Sequence, residues 1–272
     1  MIFDREAAFE EAVITVLKQH GWDDEEGVLR YPTEQDLIDN WARILFKNNS
    51  RIDRLNGCPL TQGEMAQIIE QIETLKTPLA LNGFINGKVV PITRDNPDDT
   101  LHFGETVYLA IYDRDEIAAG KSRYQIAQQP VYPAKNKILN DRRGDLCLLI
   151  NGMPVIHIEL KRSGTSVKEA TGQIEKYAHE GVFTGLFRLV QIFVGMTPDE
   201  ALYFANPGSR AFNKNKYVFV EYLRDFASPD NSYVLLLTHI LISLERLPAG
   251  FRSTLEGKAV WWLKKRSGLR DA

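Results

Sequence analysis

Three residues near the middle of the chain, Asp145, Glu159 and Lys161, have the types and spacing of a site for a hard cation. The stretch that holds them, DLCLLINGMPVIHIELK, is two apolar runs joined by Asn151-Gly152, a dipeptide that favours a tight hairpin. Side chains alternate along a strand, so Glu159 and Lys161 share one face while Leu160 turns into the core and leaves its carbonyl able to reach a cation. Two carboxylates converging on one point make an oxygen-rich site suited to Mg²⁺. Such an ion polarises a phosphodiester, neutralises developing charge and makes water more acidic. Lys161, on the Glu159 face, would orient or help deprotonate the attacking water and stabilise the pentavalent phosphorane. A Glu-x-Lys pair by itself is more often a salt bridge on an exposed strand. An Asp at the facing end of an otherwise apolar paired strand weakens that alternative sharply.

The register can be tested on paper. If Leu146, Leu148 and Ile150 face the same side as Ile156, Ile158 and Leu160, directly paired residues must have numbers with an even sum. A strict two-residue turn pairs Ile150 with Met153 and splits the apolar sets. A three-residue loop or a bulge pairing Ile150 with Pro154 keeps them together and brings Asp145 opposite Glu159. Hydrophobic patterning therefore selects, with no catalytic assumption, the register that juxtaposes the two acids.

Other elements must support this pair. Gln173 and Tyr177 lie four residues apart on one face of an expected helix, where an amide and a phenol could bond backbone or phosphate. An N-terminal helix over about Asp4 to Gln19 carries Phe9, Val13, Val16 and Leu17 on one stripe. Glu6 falls within that stripe and Glu10 near its edge, so either could add a third metal ligand or meet Lys161. A solvent-facing role is as frequent for each. His157 shares the Glu159 face, but a lone strand histidine is usually packing and stays outside the active set. Arg143 and Arg162 flank the acids and are candidates for DNA phosphate. The pairs Lys135/Lys137 and Lys214/Lys216, and Arg142, are weaker ones.

Further helices are expected over about Glu34 to Phe46 and Thr61 to Leu75, the latter with a Thr61/Glu64 capping box and Pro78 as a stop. A hairpin is expected around Asn86-Gly87 within Gly83 to Val90. Strands are expected at Thr106 to Tyr112, Tyr124 to Val131, Asp145 to Ile150, Val155 to Lys161 and Leu189 to Val194. A helix over Ser166 to Glu180 separates the last two, with Ser166 and Glu169 as a capping box. The order strand, strand, helix, strand predicts an α/β domain, a mixed central sheet flanked by helices, over residues 1–225. The tail 226–272, with an apolar run from Tyr233 to Leu244 and a basic end bearing Trp261 and Trp262, has no assigned role beyond packing or a partner contact.

Composition excludes several classes. The 44% apolar content is too high for disorder. A net charge of −3 leaves any DNA contact to a local basic patch. Two cysteines, Cys58 and Cys147, make no disulfide framework and suit a reducing compartment. No run approaches a membrane span, and the acidic N-terminus is unlike a signal peptide, so a cytoplasmic protein is expected. The five histidines form no HxH, HxxxH or HExxH pattern, which disfavours a zinc hydrolase, and neither GxxxxGK[ST] nor GxSxG occurs.

Arg143-Gly144-Asp145, the run LLINGMPVIHIELKRSG and Gln173-Ile174-Glu175-Lys176-Tyr177 together resemble the N-terminal region of the restriction (R) subunit of type I restriction–modification enzymes. The likeness covers roughly Phe9 to Phe204, including Gly21-Trp22. It implies a PD-(D/E)XK restriction-endonuclease-like fold and Mg²⁺-dependent cleavage of double-stranded DNA beside modification and specificity subunits. By position, Asp145 and Glu159 would be the metal ligands and Lys161 the catalytic lysine. Gln173 and Tyr177 would be the family's extra motif, supporting the site and DNA. Gly144 departs from the family's proline. Members of the family continue into an ATP-driven DNA-translocating region whose motifs this sequence lacks, so a fragment, a truncated product or a stand-alone relative is expected. Two other functions are weighed beside the endonuclease: a catalytically silent DNA-binding or docking module, and a stand-alone repair-type nuclease.

Overall fold

The computed structural model describes residues 2–23, 25–85, 89–111, 123–133, 141–208 and 220–221. Its centre is the predicted hairpin. β7 (Leu146–Ile150) runs antiparallel to β8 (Met153–Leu160), and every residue of both is buried. Asn151 and Gly152 have φ of 50° and 84°, the left-handed pair that a tight two-residue turn requires. A Cβ on Gly152 would lie 2.9 Å from Trp41 Cα, so glycine is also needed for close approach.

The turn pairs Ile150 with Met153, not with Pro154 as the even-sum pattern predicts. A bulge between Leu148 and Leu149 then shifts the register, and Leu148↔Ile156 and Leu146↔Ile158 have the expected even sums. Turn chemistry sets the tip of the hairpin and burial sets its base, and the bulge reconciles them. Continuing the ladder by one residue puts Asp145 opposite Glu159.

β8 also pairs in parallel with β9 (Ile192–Met196), after a crossover through α5 (Val167–Glu180) and a 3₁₀ turn at Gly185–Leu189. The expected strand at Leu189 to Val194 therefore begins three residues later. The full sheet has seven strands in the order β1-β4-β7-β8-β9-β10-β11 and mixes parallel and antiparallel pairs. Here β1 is Val28–Arg30, β4 Tyr124–Gln128, β10 Ala201–Ala205 and β11 Val220–Glu221. The sequence reading did not include β1, β10 or β11. β4 stops short of Val131 because Gln129 adopts φ 49° before Pro130; the chain resumes as β5 (Val131–Tyr132), paired with β6 (Arg142–Arg143). This is the expected mixed α/β sheet flanked by helices.

α1 (Glu6–Gln19) contacts β8, and α5 packs on β8 and β9. α2 (Glu34–Asn49) and α3 (Gln62–Thr74) each begin with a capping box, Thr33/Asp36 and Thr61/Glu64. Ser166 caps α5 by accepting from the Lys168 N–H, without the reciprocal Glu169 bond. The expected hairpin at Gly83 to Val90 is corrected. α3 ends at Thr74, ahead of the expected stop at Pro78, and Pro78 itself opens a further helix, α4 (Pro78–Ile85), since its missing N–H costs nothing at a first helical position. Residues 89–93 form β2, which pairs with β3 (Thr106–Ala110). Tyr112 and residues 86–88 lie outside the described residues, as does the 226–272 tail. No helix of the described residues is long and apolar enough to cross a membrane.

Candidate active site

The base of the hairpin brings the candidate residues together. Asp145 Oδ2 accepts a 2.6 Å hydrogen bond from the Leu160 N–H, which ties it to the strand bearing Glu159. The Glu159 carboxylate is wholly buried, and no N–H or O–H donor bonds either of its oxygens with good geometry. His157 Nε2 lies 2.9 Å from Glu159 Oε1, but off the line of a hydrogen bond. Lys161 Nζ sits at the same end of the strand, 3.0 Å from the Leu160 carbonyl and 3.4 Å from Glu6 Oε1. Leu160 thus bridges the site through its main chain, its N–H held by one acid and its carbonyl by the lysine.

Both acids hold their protons unusually tightly. Burial, and then the facing Glu159, push Asp145 up to about 7. Burial pushes Glu159 up to about 8, against the pull of the Lys161 ammonium. Metal-free protein at neutral pH therefore keeps a proton in the pair. Because the folded values lie above the unfolded ones, the native state binds more protons and stability falls as pH rises. The loss begins above about pH 4 and is complete above about pH 8. Without divalent ions, the melting temperature is expected to fall across that window by an amount that Asp145→Asn reduces. A flat profile in the parent chain would contradict the buried pair.

Of the two candidate acids on the N-terminal helix, Glu6 meets Lys161 and Glu10 is held by Gln128 and Gln129; neither joins Asp145 and Glu159 as a third acid about one point. Glu10 is buried, accepts from Gln128 and lies 3.4 Å from Gln129 Nε2; burial and, secondarily, Asp145 raise its pKa. Glu6 is about half exposed. Ile14 is buried too, which widens the stripe and takes Glu10 inside it. Glu6 lies on the stripe but in the first turn, where its carboxylate reaches Lys161.

Gln173 and Tyr177 do share a face. Gln173 Nε2 donates to the Tyr177 hydroxyl at 2.8 Å, and that hydroxyl donates to the Arg143 carbonyl, also at 2.8 Å. The pair braces the chain two residues ahead of Asp145. Arg143 and Arg162 are exposed, with the Arg143 guanidinium 6.0 Å from the Tyr31 ring centroid. Arg142 is already engaged in a two-pronged salt bridge to Glu180 at 2.7 and 2.9 Å. Lys135, Lys137, Lys214 and Lys216 lie outside the described residues.

Sequence reasoning missed Gln129 and Tyr132. The Gln129 N–H donates to the Asp145 carbonyl at 2.7 Å, and the Tyr132 hydroxyl lies 2.7 Å from His157 Nδ1. The polar Gln128-Gln129 pair closing an apolar strand before Pro130 was the one available signal. Gly144 is explained by the same neighbours. A Cβ there would meet His157 Cε1 at 2.7 Å and Tyr132 at 2.8 Å, so a side chain at this position would force the two buried rings to shift.

Residues 4–212 match the family model described as the Type I restriction enzyme R protein N terminus. This chain belongs to that family. A Staphylococcus saprophyticus protein named type I restriction enzyme SsaAORF53P endonuclease subunit is 30% identical over 217 residues, covering 80% of this chain and 21% of the relative. Escherichia coli type I restriction enzyme EcoprrI endonuclease subunit is 34% identical over 224 residues, 77% of this chain and 66% of that protein. The chain spans about a fifth of the length of the staphylococcal relative. Asp145, Glu159, Lys161 and the Gln173–Tyr177 brace all fall inside the R-protein N-terminal match.

Whether these residues suit a cation follows from their donor set. Among the described residues no three His, Cys, Asp or Glu side chains gather about one point. Two carboxylates do, one with both oxygens lacking a good donor. Mg²⁺ commonly takes one or two protein carboxylates and keeps several waters, so the set fits that ion better than one needing an all-protein cage.

Proposed function

We propose that this R-protein N-terminal region is a Mg²⁺-dependent endonuclease domain. It hydrolyses phosphodiester bonds of double-stranded DNA, while modification and specificity subunits of a restriction complex choose the DNA. The observation that carries the reading is the pairing of Asp145 with the donorless Glu159 carboxylate beside Lys161.

Asp145 and Glu159 would hold the ion, whose bound charge supplies Lewis acidity toward the phosphodiester and offsets the charge that builds on it. Both acids would have to be ionised to hold it, so Mg²⁺ affinity is expected to rise with pH across the window in which they lose their protons. Lys161, anchored between the Leu160 carbonyl and Glu6, presents an ammonium that orients the attacking water and hydrogen-bonds the phosphorane oxygens. The Gln173–Tyr177 brace keeps the Asp145 segment in register with β8. Arg143 and Arg162 stand exposed on either flank to meet neighbouring phosphates. ATP would be used by translocating segments, not by these residues.

Lys161→Ala separates this reading from a silent docking module. In the reconstituted restriction complex, DNA binding by gel shift should stay within about threefold, while cleavage of supercoiled plasmid falls by about 10²–10³. Retained cleavage would remove Lys161 from the chemistry.

A further inference from the structure

Behind Glu159 lies a polar pair that the reaction as described does not use. Tyr132, on the short strand β5, and His157, on β8, are both fully buried. Their rings sit among Phe183, Phe187 and Phe193. Two polar side chains in such a place need a reason, because an unpaired buried donor or acceptor is costly. The Tyr132 hydroxyl meets His157 Nδ1 at 2.7 Å, and the opposite ring nitrogen lies 2.9 Å from Glu159 Oε1.

The hydrogens follow from both ends. Both rings are fully buried among aromatic side chains, a setting that keeps the phenol protonated and the imidazole neutral. A neutral imidazole has one donor nitrogen and one acceptor. With the phenol donating to Nδ1, the imidazole hydrogen is on Nε2 and faces the carboxylate. The other tautomer would leave the phenol hydrogen without an acceptor and set a lone pair against Glu159. The Nε2–Oε1 line is poorly aligned, but the last torsion of a glutamate is soft. A carboxylate turning onto a cation can therefore take up the bond. Gly144 makes the arrangement possible, since any Cβ would occupy the space of both rings.

We propose that Tyr132 and His157 form a positioning relay that orients the Glu159 carboxylate toward the cation, in the space that Gly144 leaves open. The proposal rests on the metal-site reading above and adds what holds its deepest ligand. Partners of this kind typically alter metal affinity 10–100-fold.

The test uses calorimetric Mg²⁺ titration of the chain at pH 8 and ¹⁵N NMR of its histidines. Parent protein should show His157 as the Nε2–H tautomer; an Nδ1–H tautomer would overturn the relay. Tyr132→Phe should weaken Mg²⁺ binding about tenfold. As a check on misfolding, His157→Gln keeps an amide donor toward Glu159 and should bind Mg²⁺ more tightly than His157→Leu. Binding by Tyr132→Phe within twofold of the parent, or equal binding by the Gln and Leu variants, sinks the relay while leaving the metal site standing. If Glu159→Gln binds as the parent does, the metal site itself is wrong and the relay falls with it.

Discussion

Asp145→Asn is expected to cost about 10³-fold in plasmid cleavage and, in metal-free buffer at pH 8, to make the protein more stable. The amide oxygen of asparagine can still accept from the Leu160 N–H, so the 2.6 Å tie between the strands is kept. What disappears is a carboxylate whose pKa burial and Glu159 push to about 7. At pH 8 the parent must ionise that group next to a second acid. Asparagine avoids the cost, and roughly 1–3 kcal/mol of added stability follows. Plasmid nicking and thermal melting with and without Mg²⁺ read the two effects separately. The Mg²⁺-induced rise in melting temperature seen for the parent should shrink in the variant. Cleavage within tenfold of the parent would remove Asp145 from the active site. A large loss of stability would make it a structural residue.

Arg94→Met should destabilise the chain by about 3–5 kcal/mol while leaving the Mg²⁺ affinity of the folded protein unchanged. Arg94 is fully buried at the end of β2, with salt bridges to Glu64 at 2.6 Å and Asp99 at 2.9 Å, both themselves fully buried. Its third nitrogen donates to the Cys58 carbonyl, so the guanidinium ties α3, the loop before it and the β2–β3 connection together. Methionine matches its bulk but strands two carboxylates without a counter-charge, and that penalty dominates. Urea unfolding measures the loss. Adding Glu64→Gln and Asp99→Asn to Arg94→Met should recover part of it, because neutral amides are cheaper to bury unpaired than charges are. A loss below about 1 kcal/mol for Arg94→Met would mean that water reaches the network. None of its partners belongs to the Asp145–Glu159 site, which is why the metal affinity should not move.

The two effects divide along the line between local and long-range information. The placement of the candidate residues was legible because they sit on one hairpin. Alternation along β8 put Glu159 and Lys161 on one face, Asn151-Gly152 marked the turn, and the demand that both apolar sets face one side placed Asp145 opposite Glu159. Each of these is a period-two or turn rule acting within seventeen residues. Gln173 and Tyr177 were legible for the same reason, with helical spacing in place of strand alternation. The capping boxes that open α2 and α3 are local as well, and the one at Thr61 was read directly.

What only the tertiary structure decided involves residues far apart in the chain. Position on the stripe could not tell Glu10 from Glu6, because burial depends on partners such as Gln128 and Gln129 that are distant in the chain. The bulge at Leu148/Leu149 is a compromise between turn geometry and core burial, and neither demand alone locates it. Gln129 reaches the Asp145 carbonyl, and Tyr132 reaches His157, across neighbouring segments with no periodic signature. Gly144 looked like a degenerate motif position until the rings beside it showed that a Cβ has no room. Sequence patterns record which faces must be buried. The depth of burial and the partners met there, which set the acids' proton affinity, exist only once separate segments pack together.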